Sequence, residues 1–204
     1  MDVKQKTKEV VDAYREKYGY VKLDLGCGQN KCGEDHIGVD LVELPTVQVV
    51  HNLTEFPYPF EDGSVDEIFA SHFFEHLDGF QRSKFMEECY RILIDEKKDE
   101  QGQVIQRGKM RLIHPYGKSV RFFWDFTHKW PPLVEQSYWY WNKNDKKNMG
   151  LTHGHYDLKC DFDYVITYIL QDGTVKLKSP EQQQYMMDKL WNVIADLDVH
   201  LTKK

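Results

Sequence analysis

The sequence predicts an α/β fold, a mostly parallel sheet with an antiparallel terminal hairpin strand and helices on both faces. Three observations carry this expectation. Short apolar, β-branched runs recur between helical and loop segments over the first 115 residues, Gly26 and Gly28 follow the first of these runs directly, and the tail shows a hairpin signal before a last helix. With 204 residues there is room for one domain: an N-terminal helix (1–20), a strand-bearing core (21–115), a ring-rich insertion (116–160) and a terminal hairpin and helix (161–204).

Residues 4–18 place Val10, Val11, Ala13, Tyr14 and Tyr18 at helical spacing and stop at Gly19. YVKLDL is the first strand, broken off by GCG; HIGVDL (36–41) and TVQVVHN (46–52) are the next two. After FPYPFEDGS, the run VDEIFASH (65–72) reads as a buried parallel strand. SKFMEECYRILI (83–94) has helical periodicity, the charged DEKKDEQGQVIQRG reads as a solvated loop, and KMRLIHP (109–115) is the fifth strand. In the tail, DFDYVITYIL and TVKLKS flank Gln171-Asp172-Gly173 as a hairpin. A helix is then expected from Pro180 to Asp198, with Met186, Leu190, Val193, Ile194 and Leu197 as its stripe.

Composition narrows the function. A net charge of −6 provides no broad cationic field for phosphate backbones, so there is no strong nucleic-acid signal. No apolar run reaches the roughly 18–20 residues of a membrane span, and the N-terminus is charged where a signal peptide is apolar, so a cytoplasmic protein is expected. Cys27, Cys32, Cys89 and Cys160 form no C-x-x-C pair and read as reduced structural thiols; Cys27, Cys32 and His36 lack a fourth zinc ligand.

The turn after the first strand carries the chemistry. Gly26 and Gly28 lack the Cβ atoms that would keep a ligand from the backbone, and Asp40 ends the next strand, where a carboxylate can accept from both ribose hydroxyls. Only seven residues, Gln29 to Asp35, lead to the next strand, too few for the helix on which a dinucleotide rests its pyrophosphate. NAD is therefore disfavoured, whereas S-adenosylmethionine has no phosphate to place.

With LDLGCG, IGVDL, HNLTEFPYPFEDGSVDEIFASHFFEHL and YRIL in this order, the sequence from Val21 to His128 resembles the class I S-adenosylmethionine-dependent methyltransferases, in the compact form found in phages and bacteria. The resemblance implies a Rossmann-like fold and methyl transfer from S-adenosylmethionine by in-line displacement; for a phage-encoded chain the compartment is the host cytoplasm. It places Gly26, Cys27 and Gly28 around the methionine part, with Asp24 below reaching the amino group through water. Asp40 would hold the ribose, with Leu41 beside it, Asn52 and Leu53 would address the adenine, and Ser71 and His72 would lie beside the sulfonium. The family's third glycine is Asn30 here, and Lys31 reads equally as a partner of the cofactor carboxylate or as a surface cation.

His72, Glu75 and His76 form an H-x-x-E-H pattern, which as an inverted zinc-protease signature would need one helix. The resemblance instead runs this stretch from the fourth strand into a loop and short helix. Some relatives hold a divalent metal on an E-x-x-E-H stretch, making His72, Glu75 and His76 candidate metal ligands; others use the Glu-His pair to organise the loop by hydrogen bonds. Asp125, Thr127 and His128 resemble the D-P-T-H of related small methyltransferases, with Phe126 for proline. His128, His76 and Asp125 are thus the candidate acid–base residues, a loop-fixing histidine being the alternative for His128. Ten rings between Tyr116 and Trp141 read as part core and part lid, and His153 and His155 as a polar surface cluster. The acceptor class and oligomeric state stay open. The competing functions are a catalytically silent cofactor-binding module and a metal-dependent hydrolase.

Overall fold

The computed structural model describes residues 2–151, 153–154 and 157–204; His155 lies outside them. The chain forms α1 (Val3–Tyr18), β1 (Lys22–Leu25), β2 (His36–Asp40), β3 (Val49–Val50), β4 (Glu67–Ser71), α2 (Gly79–Ile92), β5 (Lys97–Lys98) and β6 (Val104–Gln106). It continues through β7 (Lys109–Pro115), α3 (Val120–Trp124), α4 (Lys143–Asn148), β8 (Phe162–Leu170), α5 (Pro180–Lys189) and β9 (Ile194–Lys203). Short 3-10 segments lie at Phe74–His76, Glu135–Trp141 and Gly173–Leu177.

Seven strands make one sheet in the order β3-β2-β1-β4-β7-β9-β8, with helices around it. β3, β2, β1, β4 and β7 run parallel, and β9 lies antiparallel between β7 and β8. The order reverses beside β1, which is the place where open α/β sheets bind ligands, beyond the carboxyl ends of the strands. Leu23, Leu25, Ile37, Val39, Ile68, Met110 and Leu112 bury one sheet face against Phe85, Met86, Cys89 and Ile92 of α2.

Local chemistry sets the element ends. α1 stops at Gly19, whose φ of 80° suits only a residue without Cβ and whose N–H donates to the Arg15 carbonyl. α2 begins at Gly79, earlier than helical periodicity indicates, because Asp78 accepts from the Gln81 N–H while the Gln81 side chain accepts from the Asp78 N–H. No helix occupies the β1–β2 or β2–β3 crossover. Asp24 accepts from the Cys32 N–H at 2.6 Å, and Gln48 Oε1 accepts from the Gly38 N–H at 2.8 Å, holding these loops instead.

Three expectations need correction. The charged stretch after α2 contains the β5–β6 hairpin, closed by Asp99, which accepts from the N–H groups of Gln101 and Gln103. TVKLKS is no hairpin arm: residues 173–177 turn as a 3-10 helix, with Val175 buried and Leu177 exposed. The partner of β8 is β9, so α5 ends at Lys189 and Val193, Ile194 and Leu197 belong to a strand rather than to a helix stripe. β9 is buried from Ile194 to Val199, and Asp196, Asp198 and His200 alternate along it with Leu197, Val199 and Leu201, the period of a strand rather than of a helix.

Candidate active site

Beyond Leu25 the chain turns through Gly26 and Gly28, with φ of 73° and 49°, values that L side chains avoid. The Gly26 N–H donates to the Val39 carbonyl at 2.8 Å, and a Cβ at Gly26 would stand 2.8 Å from the Phe73 ring. A Cβ at Gly28 would meet nothing within 4 Å, so the backbone there faces open space. Asp40 is oriented beside this turn: Oδ2 accepts from the Gly28 N–H at 2.9 Å and Oδ1 from the Val42 N–H at 3.1 Å. One oxygen lone pair remains on each side of that carboxylate.

Asp24 is buried under the turn, and burial raises its carboxyl above the usual range despite the Cys32 N–H. Burial also pushes the Cys27 thiol up to about 11, which makes it a packing residue. The Lys31 ammonium donates to Gln48 Oε1 at 3.2 Å. Asn52 Oδ1 accepts from both the N–H and the hydroxyl of Thr54, so this side chain shapes the turn that presents Leu53. Leu53 is buried, its carbonyl accepting from the Tyr58 hydroxyl, and Leu41 is exposed.

Ser71 ends β4, and His72 follows with a φ of 53°, rare for a residue bearing a Cβ. The 3-10 turn covers only Phe74–His76, so His72 and His76 do not share a helical face and the protease geometry is not present. Glu75 is fully buried. His72 Nδ1 lies 3.3 Å from its Oε1, yet neither Glu75 oxygen has a hydrogen-bond partner among the described residues. Burial opposes ionisation of Glu75, but the His72 imidazole more than offsets it and holds its pKa below the usual range; Glu75 in turn raises that of His72.

The segment after α3 closes over this turn. Thr127 has one hydroxyl proton, which goes to the Asp125 carboxylate at 2.6 Å, so at 2.9 Å from His76 Nδ1 the hydroxyl is the acceptor and His76 the donor. His128 Nδ1 likewise donates to the Phe122 carbonyl at 2.8 Å. In the neutral rings both Nε2 atoms therefore carry lone pairs. His128 Nε2 stands 3.9 Å from Glu75 Oε1 and 3.7 Å from Asp125 Oδ2. Ligand-type atoms of Glu75, His76 and His128 lie within 4.8 Å of one another, and His72 is not part of this group.

Two residues not singled out in the sequence build the frame. Arg82 of α2 is buried and donates to the carbonyls of Phe74, Glu75, Lys129 and Pro131, joining the Glu75 turn to the loop after His128; burial lowers its pKa to about 10. Nothing in α2's pattern marks it. Asp196 of β9 is buried, with Oδ2 3.1 Å from Arg121 and Oδ1 without a hydrogen-bond partner among the described residues. Its signal was a carboxylate inside an apolar run. Of the rings, Tyr116, Phe122, Tyr138 and Trp141 are core, whereas Phe123, Trp124, Phe126 and Trp130 are exposed.

Residues 13–97 match the family model described as a methyltransferase domain. No curated protein matches the chain. Among solved structures it is similar to an S-adenosylmethionine-dependent methyltransferase from Archaeoglobus fulgidus, at 19% identity over 96% of this chain and 94% of that one, with a TM-score of 0.58. It is also similar to the 16S rRNA (adenine(1408)-N(1))-methyltransferase from Catenulisporales acidiphilia, at 9% identity over 100% and 92%, TM-score 0.52. The small RNA methyltransferase HEN1 aligns at 12% identity over 97% of this chain and 25% of that chain, TM-score 0.52. At these identities the likeness is one of fold. The methyltransferase-domain match over residues 13–97 and a sheet of this order give the chain the fold that S-adenosylmethionine-dependent methyltransferases share.

Proposed function

We propose that S-adenosylmethionine is held by Gly26, Cys27, Gly28, Asp40, Leu41, Leu53, Ser71 and His72, and that the acceptor approaches over His76 and His128. The observation that carries this reading is the open space at Gly28 beside an Asp40 carboxylate already oriented by the Gly28 N–H. S-adenosylmethionine supplies an electrophilic methyl group when bound. The free lone pairs of Asp40 accept ribose hydroxyls, and Asp24 acts from below by anchoring the short crossover. Asn52 contributes through the turn around Leu53, since Thr54 already occupies its oxygen.

His128 is suited to take the acceptor's proton on Nε2, because its Nδ1 proton is fixed on the Phe122 carbonyl, which leaves the Nε2 lone pair free 3.7 Å from Asp125 Oδ2. A screen of hydroxyl and amine acceptors tests the assignment: His128→Ala should bind S-adenosylmethionine as the parent does and lose turnover. Undiminished turnover in that variant refutes the role.

One observation favours a second use of the same cluster. Two buried Glu75 oxygens without hydrogen bonds, beside two imidazoles with Nε2 lone pairs, suit a divalent cation with a taste for nitrogen and oxygen donors, such as zinc or manganese. Calorimetric titration of metal-free protein with each ion, repeated for Glu75→Gln, tests it; binding that Glu75→Gln leaves intact rejects it. No helix among the described residues is long and apolar enough to cross a membrane.

A further inference from the structure

The loop that carries His128 also carries the largest rings the chain leaves in solvent. Phe126 is 96% exposed, Trp124 74%, Trp130 73% and Phe123 51%, and Trp191, whose ring centroid is 5.8 Å from that of Phe123, is 59% exposed. The two chain segments are tied together: the Asn192 N–H donates to the Lys118 carbonyl, and the Val120 N–H donates to Asn192 Oδ1. Inward, Phe122 touches both Phe123 and His128, so the patch runs into the proposed acceptor site. Exposed rings in this number require an occupant.

Their charge setting selects it. The chain is acidic, with a net charge of −6, yet residues 116–131 carry Lys118, Arg121 and Lys129 against the single carboxylate Asp125. Asp125 is engaged by Thr127, and Lys118 and Lys129 have no ion pair among the described residues. Rings this exposed do not enclose a small apolar molecule, which binds in pockets that bury most of its surface. Flat rings interleaved with unpaired cations instead match ligands whose flat faces alternate with negative charges.

We propose that this platform binds unpaired nucleobases linked to phosphate, and that the methyl acceptor is a single strand of nucleic acid. The proposal rests on the acceptor approach over His76 and His128 given above. Bases stack on Trp124, Phe126 and Trp130, whose tolerance of any base follows from the π-face that all bases share, while Lys118 and Lys129 meet the phosphates. The overall acidity confines this attraction to one loop, so binding is short-range and salt-sensitive.

The test uses the full chain and follows tryptophan fluorescence and anisotropy. Probes are a labelled single strand of about ten nucleotides, adenosine monophosphate, the same sequence as a duplex, and phosphatidylserine vesicles. Saturable binding of the single strand, weakened by salt and about tenfold by Trp124→Ala with Phe126→Ala, is expected, and Lys118→Glu with Lys129→Glu should weaken it similarly. Binding of the mononucleotide with equal affinity overturns the single strand as the occupant. Thermal unfolding and calorimetry with S-adenosylmethionine run on every variant. Cofactor binding without binding of either nucleotide probe overturns the platform and spares the site reading; loss of cofactor binding in the parent chain is failure of the site reading itself. Binding that ignores the ring variants, or that favours vesicles or duplex, also overturns the proposal.

Discussion

Thr127 Oγ1 lies 2.9 Å from His76 Nδ1, although the two residues are far apart in the chain, and its only proton is committed to Asp125. This fixes His76 as an Nδ1–H donor and leaves Nε2 bare. Imidazole nitrogen chemical shifts should report the Nδ1–H tautomer for both His76 and His128. Thr127→Val should release the preference at His76 while leaving that of His128, which the Phe122 carbonyl sets. A His76 tautomer indifferent to Thr127→Val would contradict the hydrogen-bond direction.

Gly26 and Gly28 should separate stability from binding. Gly26→Ala drives a Cβ into the Phe73 ring at a positive φ and should cost about 2–3 kcal/mol in chemical denaturation. Gly28→Ala meets no neighbouring atom and should cost about 1 kcal/mol, yet its methyl group occupies the open space and should weaken S-adenosylmethionine binding by about tenfold or more. Equal loss of stability in both variants would place Gly28 in a packed turn instead.

Arg82 is a buried cation that donates to four carbonyls and, among the described residues, pairs with no carboxylate. Arg82→Lys keeps the charge but one ammonium cannot span both loops, so a loss of about 2–3 kcal/mol is expected from urea denaturation. The same variant should loosen the Glu75 turn and the 129–131 loop together, visible as faster amide exchange at Lys129, whose N–H donates to the Glu75 carbonyl at 2.9 Å. Unchanged exchange would separate the two loops.

His114 sets a pH dependence. It is fully buried, with Nδ1 donating to the Pro115 carbonyl at 3.0 Å and Nε2 accepting from the Tyr138 hydroxyl at 2.6 Å, and burial lowers its pKa to about 4. The unfolded chain takes up this proton near pH 6.5 and the folded chain only near 4, so stability falls as pH drops through that window, by about 3 kcal/mol in all. Denaturation midpoints measured from pH 7 to 4 should show the slope, and His114→Phe should flatten it. A slope unchanged by His114→Phe would assign it to other groups.

The amino-terminal part of this fold was legible because β1, β2, β4 and β7 are short apolar runs cut off by glycine, proline or charge, and LDLGCG and IGVDL place the glycine turn and Asp40 at the carboxyl edge of the sheet directly. The tail was not. Met186, Leu190, Val193, Ile194 and Leu197 fit a helical period that competes with the two-residue alternation of Asp196, Asp198 and His200 with Leu197, Val199 and Leu201, and the two carboxylates, which suggest a solvated face, are in fact buried with arginine partners, Arg121 and Arg111. Those partners come from distant segments, and no local pattern announces them. His76 and His128 were each recognisable by type and motif, but that they flank one carboxylate depends on how residues 120–130 fold back. The role of Arg82 depends on the same closure.

Calorimetric titration of the purified, metal-free protein with S-adenosylmethionine, repeated for Asp40→Ala, tests the central claim most directly. The account expects saturable one-site binding in the parent and a loss of about a hundredfold or more in Asp40→Ala, whose removed carboxylate both holds the Gly28 N–H and accepts the ribose. Parent-like binding by a folded Asp40→Ala variant would contradict the site, and no binding by the folded parent would contradict the assignment of this edge to the cofactor.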